Sequence, residues 1–92
     1  MTEQQIQSKL IKELEDKGYY VIKLVKTNKN GIPDLIAIPK NSDVEFFEVK
    51  QADGKISKLQ EYRIKELKKY GIKSTVFYGL KKTTDDTSTT DL

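Results

Sequence analysis

The chain of 92 residues contains neither cysteine nor histidine. Without cysteine there is no disulfide framework and no thiolate zinc site; without histidine there is no imidazole base and no Ser-His-Asp or Cys-His nucleophile. Any chemistry therefore falls to carboxylates, lysines or tyrosines. Long apolar runs are missing as well. None approaches the ~20 residues that span a bilayer, and the N-terminus is polar from Thr2 to Gln5. Neither membrane insertion nor secretion is expected, and the protein reads as cytoplasmic. No internal repeat is visible, and Arg63 is the only arginine among 17 basic residues.

What is present suits one small domain. With 36% hydrophobic and 34% charged residues there is material for a single core and none for a second. A domain this short buries only about 60–65% of the surface of its unfolded chain, so pairing with a second copy is expected to supplement its stability. The net charge is +3, and residues 83–92 hold three aspartates and no base, so residues 1–82 carry +6. That balance fits a polyanionic partner; it also fits a solvated basic surface.

Hydrophobic periodicity predicts the order α-β-β-β-α-β. Thr2 and Gln5 form a capping-box pattern ahead of Ile6, Leu10, Ile11 and Leu14, which share a helical face until Lys17-Gly18, giving a helix over about 3–17. Tyr20–Val25 reads as a strand, and Tyr19 and Tyr20 as packing residues beside the helix stop. Lys26–Ile32 is a polar, basic loop. Pro33 biases Ile32 away from helix, and Asp34 opens the apolar run Leu35-Ile36-Ala37-Ile38. After turn chemistry over 39–43, the strand Val44–Lys50 places Val44, Phe46, Glu48 and Lys50 on one face and Glu45, Phe47 and Val49 on the other. Ser57 and Gln60 repeat the capping box, Leu59, Tyr62, Leu67 and Tyr70 mark an amphipathic helix, and Gly71 ends it before a last strand, Ile72–Tyr78. The middle strands can pair as hairpins, and the final helix is a crossover between parallel strands. Residues 1–79 thus form the domain, and 80–92, nearly devoid of apolar residues, are expected to be a disordered tail.

Hairpin pairing about the 39–43 turn would bring Asp34 next to Glu48 and Lys50. Two carboxylates at a sheet edge offer hard oxygen ligands, which with no His or Cys available suit Mg²⁺ or Mn²⁺. A divalent ion there can take a phosphate oxygen and lower the pKa of a bound water, while Lys50 orients that water or faces the transition-state charge. The competing reading is a same-face Glu48–Lys50 ion pair on an exposed strand, with Asp34 capping the turn after Pro33. Phe46, Phe47 and Val49 speak against exposure, because a buried pair without a task is costly to desolvate.

Gly31-Ile32-Pro33-Asp34, Glu48-Val49-Lys50, Ser57 and Gln60 together resemble the VRR-NUC (virus-type replication and repair nuclease) family of the PD-(D/E)xK superfamily, over roughly residues 3–79. The resemblance implies an α/β fold with a restriction-endonuclease-like core, a mixed sheet flanked by helices. It implies that Asp34, Glu48 and the backbone carbonyl of Val49 bind the metal and that Lys50 acts on the nucleophile. It also implies that Glu3, from the first helix, joins the metal site and that Gln60 acts beside it. Unaided, the residues allow a blander account: Glu3 compensates a helix dipole, and Gln60 completes a cap.

Lys26, Lys29, Lys55 and Lys58 lie near these motifs and are the residues expected to hold DNA phosphates, although each is also an ordinary surface residue. So small a domain lacks room for a separate sequence-reading module, which points to recognition by shape. Resemblance to stand-alone phage and bacterial members implies a homodimeric Mg²⁺- or Mn²⁺-dependent endonuclease of four-way (Holliday) junctions, in the host cytoplasm if phage-encoded. Two other readings stay open: a monomeric flap or single-strand nuclease, and a catalytically silent DNA-binding module.

Overall fold

The computed structural model describes residues 1–79, so the tail expected from residue 80 lies outside the described residues. The elements come in the predicted order: α1 (Glu3–Asp16), β1 (Tyr20–Lys23), β2 (Leu35–Ile38), β3 (Glu45–Val49), α2 (Lys58–Lys69) and β4 (Lys73–Phe77). They build one mixed sheet in the spatial order β1-β2-β3-β4. β1–β2 and β2–β3 are antiparallel, and β3–β4 are parallel across the α2 crossover. Among the described residues no helix is long and apolar enough to cross a membrane.

Both helices start as their capping boxes dictate. Thr2 Oγ1 accepts from the Gln5 N–H at 3.1 Å while the Thr2 N–H donates to Gln5 Oε1 at 2.9 Å, satisfying two groups that a bare helix end would leave unpaired. α1 stops at Gly18, whose φ of +97° suits a residue without a side chain, and the Tyr19 N–H returns to the Leu14 carbonyl at 3.0 Å. The face Ile6-Leu10-Leu14 is buried against Leu35, Ala37, Phe47 and Val49, which alternate along β2 and β3 on one side of the sheet. This is the core, and Tyr19, Val21 and Phe77 close it.

The opposite face is thinly covered. α2 has no fully buried residue; its inward stripe is Gln60, Arg63, Ile64 and Leu67, each half-buried. The apolar face expected from Leu59, Tyr62, Leu67 and Tyr70 is therefore largely outside, with Tyr70 81% exposed. The stripe combines the apolar Ile64 and Leu67 with Gln60 and Arg63, which turn inward for the polar contacts described below. β1 is shorter than expected, ending at Lys23, and Tyr20 is 70% exposed rather than packed, because it points to the face α2 leaves open. Lys50 lies just past β3, though its N–H still donates to the Phe77 carbonyl at 2.9 Å.

Candidate active site

Pro33 is buried and delivers the chain to the start of β2, where the Leu24 N–H donates to the Asp34 carbonyl at 2.8 Å and fixes the Asp34 backbone. Pairing of β2 with β3 ends at Leu35 opposite Phe47. The next free N–H of β3 on that side, Val49, donates instead to Asp34 Oδ2 at 2.8 Å. A side-chain carboxylate thus replaces the missing strand. In an extended strand a residue's N–H and C=O leave on the same side, so the Val49 carbonyl is also directed to the Asp34 side.

Side-chain alternation puts Asp34 and Glu48 on the α2 face, the one opposite the core. Glu48 is 2% exposed. Gln60 Nε2 donates to its Oε2 at 2.9 Å, and Lys50 Nζ stands 3.7 Å from the same oxygen. Its other oxygen, Oε1, is buried and has no hydrogen-bond partner. Burial first, then the charges of Asp34 and Glu3, push the Glu48 carboxyl up to about 8; Lys50 opposes them and is outweighed. The predicted Glu48–Lys50 pair therefore exists, but on a buried strand rather than an exposed one.

Gln60 satisfies both of its sequence readings at once. Its Oε1 accepts from the Ser57 N–H at 2.8 Å, completing the cap, while its Nε2 reaches Glu48. Glu3 sits in the first turn of α1, exposed, where its charge is felt by Glu48. Among the described residues no group of three or more carboxylates is placed to hold a metal ion, while the contacts above join Asp34, Glu48, Val49, Lys50 and Gln60. Lys26, Lys29, Lys55 and Lys58 are all exposed, on the loops beside the site and on the first turn of α2. The donors present fit a hard divalent cation: an orphaned buried carboxylate oxygen, a second carboxylate and a carbonyl, with no soft ligand among them.

Sequence reasoning passed over the link between the loop before Asp34 and α2. Gly31, at φ +84°, lies so close to the helix that an added Cβ would come within 2.7 Å of Leu59 Cγ. Arg63 Nε donates to the Asn30 carbonyl at 2.9 Å, and Nη1 binds Glu66 Oε1 at 2.9 Å. The one available signal was position: the lone arginine falls three residues after Gln60 on the same helical face.

Comparison with known proteins agrees with this fold. The family model for the VRR-NUC domain matches residues 1–81. A solved structure described as a VRR_NUC domain superposes with a TM-score of 0.74 at 28% identity, covering 83% of this chain and 84% of that one. Another, a VRR_NUC domain protein, gives 0.73 at 20% identity over 87% and 80%. No curated protein is significantly similar to the chain.

Proposed function

From the premise that the chain belongs to the VRR-NUC domain family, and so has a nuclease-type fold, we propose that it is a Mg²⁺- or Mn²⁺-dependent, structure-specific DNA endonuclease. The observation that carries the reading is Glu48: a carboxyl buried beside a second carboxylate, with one oxygen held by Gln60 and the other buried without a hydrogen-bond partner. Burial and the Asp34 charge push its carboxyl up to about 8, and a divalent charge held beside it would offset that desolvation.

Asp34, Glu48 and the Val49 carbonyl are the proposed ligands, with Glu3 an outer acidic residue of the same field. When bound, the metal supplies a Lewis acid for a phosphate oxygen and a water of lowered pKa. Lys50, partly buried on the strand end, orients that water and offers positive charge to the phosphorane-like transition state. Gln60 holds Glu48 Oε2 so that Oε1 stays free for the ligand. Lys26, Lys29, Lys55 and Lys58 contact phosphates on either side of the scissile bond.

A homodimer acting on four-way junctions is the form proposed. The open sheet face, with Tyr20 and Ile22 exposed next to half-buried Ile36 and Ile38, supports pairing with a second copy, and a two-fold axis suits paired nicks on a branched substrate. The test offers wild-type protein and Lys50→Ala four-way junction, flap and linear duplex with Mg²⁺, Mn²⁺ or EDTA, and maps nicks on both strands. Symmetric, metal-requiring nicks lost in the variant are expected. Flap-only cutting would favour a monomeric flap nuclease, and tight binding without any cutting would sink the enzymatic reading.

A further inference from the structure

The loop that carries the chain into Asp34 is exposed from Val25 to Asn30 and polar from Lys26 onward. It is nonetheless seated on α2 at one point. Gly31 lies against Leu59 and the aliphatic stem of Arg63, and the Asn30 carbonyl accepts from Arg63 Nε at 2.9 Å. Arg63 is itself held from behind by Glu66 Oε1 at 2.9 Å, with its guanidinium 5.4 Å from the Tyr62 ring centroid. A guanidinium braced on two sides presents its Nε–H in one direction, which a flexible ammonium does not.

We propose that Arg63 is a positioning residue for the site: by gripping the Asn30 carbonyl it locks the Asn30–Pro33 loop to α2 and so sets Asp34 relative to Glu48. The same helix, one turn earlier, carries Gln60, which holds Glu48. One rigid element therefore registers both carboxylates: Glu48 through a side chain, and Asp34 through the loop four residues before it. The inference rests on the metal-site reading of Asp34 and Glu48, and it concerns a residue that touches neither metal nor substrate.

The test compares wild type with Arg63→Met, which keeps the stem against Gly31 and removes both donors. Three readouts are taken: tryptic cleavage after Lys26 and Lys29 followed by mass spectrometry, amide exchange in the loop and in β2–β3, and Mn²⁺ affinity by titration. Loop cleavage is expected to quicken about tenfold and loop amides to lose protection, while β2–β3 protection is retained. Mn²⁺ binding is expected to weaken about tenfold, as when a group that orients a ligand is lost. Unchanged loop protection and Mn²⁺ affinity would overturn the proposal, as would equal loss of protection in loop and sheet, which is the mark of a merely structural residue. Should Arg63→Met fail to fold, the same comparison is made on Arg63→Lys, which keeps the charge and lacks the planar fork that serves Asn30 through Nε and Glu66 through Nη1. Neither binding nor protection requires cleavage, so a wild type inactive on every DNA would count against the nuclease reading and leave Arg63 judged on its own.

Discussion

At the scale of single residues, Glu48 makes the sharpest demands. Its carboxyl titrates near 8 in the fold against 4.5 ordinarily, so the folded state favours the protonated form. The stability this group contributes is fully present below about pH 4.5 and is lost as pH rises toward 8. Metal-free protein is thus expected to lose melting temperature across that window, and Glu48→Gln, which keeps an acceptor for Gln60 and removes the charge, to flatten the profile and melt higher at pH 8. A variant with the wild-type slope would show that Glu48 does not control it. Lys50→Ala is expected to lower the rate of cleavage by about 10²–10³, the usual loss for one preorganised donor, while leaving DNA affinity nearly intact. The chemistry of these residues was legible because alternation along one strand places Glu48 and Lys50 together whatever the rest of the fold does. The hydrogen bond from the Val49 N–H to Asp34 was not, because main-chain partners have no sequence signal.

Elements show where local pattern stops being sufficient. Both capping boxes are read directly from Thr2/Gln5 and Ser57/Gln60, since they involve only groups three residues apart. Removing the second, by Ser57→Ala, is expected to cost about 1 kcal/mol in denaturant unfolding and to leave Mn²⁺ affinity unchanged. Gln60→Leu should cost at least as much stability and weaken Mn²⁺ binding as well, because it also strips Glu48 of its donor. Gly31→Ala faces both a positive φ and a Cβ 2.7 Å from Leu59 Cγ, and should destabilise by roughly 2 kcal/mol or more. By contrast, hydrophobicity gives only part of the face of α2 that turns inward, Leu67 but not Leu59, Tyr62 or Tyr70. Gln60 and Arg63 point in for their hydrogen bonds, and Tyr62 and Tyr70 stay out. Periodicity registers apolar burial, as at Leu67, and is silent about Gln60 and Arg63, which share the inward stripe through polar contacts.

Among the described residues the molecule is one-sided: α1 and the sheet share a closed core, while the face beyond β1 and β2 is apolar and exposed at Tyr20 and Ile22. Hairpin pairing of the middle strands and the parallel crossover through α2 could be anticipated from the order of elements; the exposed face beside Tyr20 and Ile22 could not, since it depends on how far α2 extends across the sheet. If that face is a seam between two copies, the double variant Tyr20→Asp/Ile22→Asp should sediment as a folded monomer where the parent is a dimer. A parent that is monomeric at all concentrations would discard the seam. Asp34, Glu48, Val49, Lys50 and Gln60 also come from a single stretch of chain, with the bonds that join them spanning 15 and 12 residues. Loops of that length close on the order of 100 ns, far faster than long-range strands find one another. The residues that meet at this centre thus need no distant segment to find one another, and in refolding the Val49 amide should gain exchange protection no later than the amides of β4.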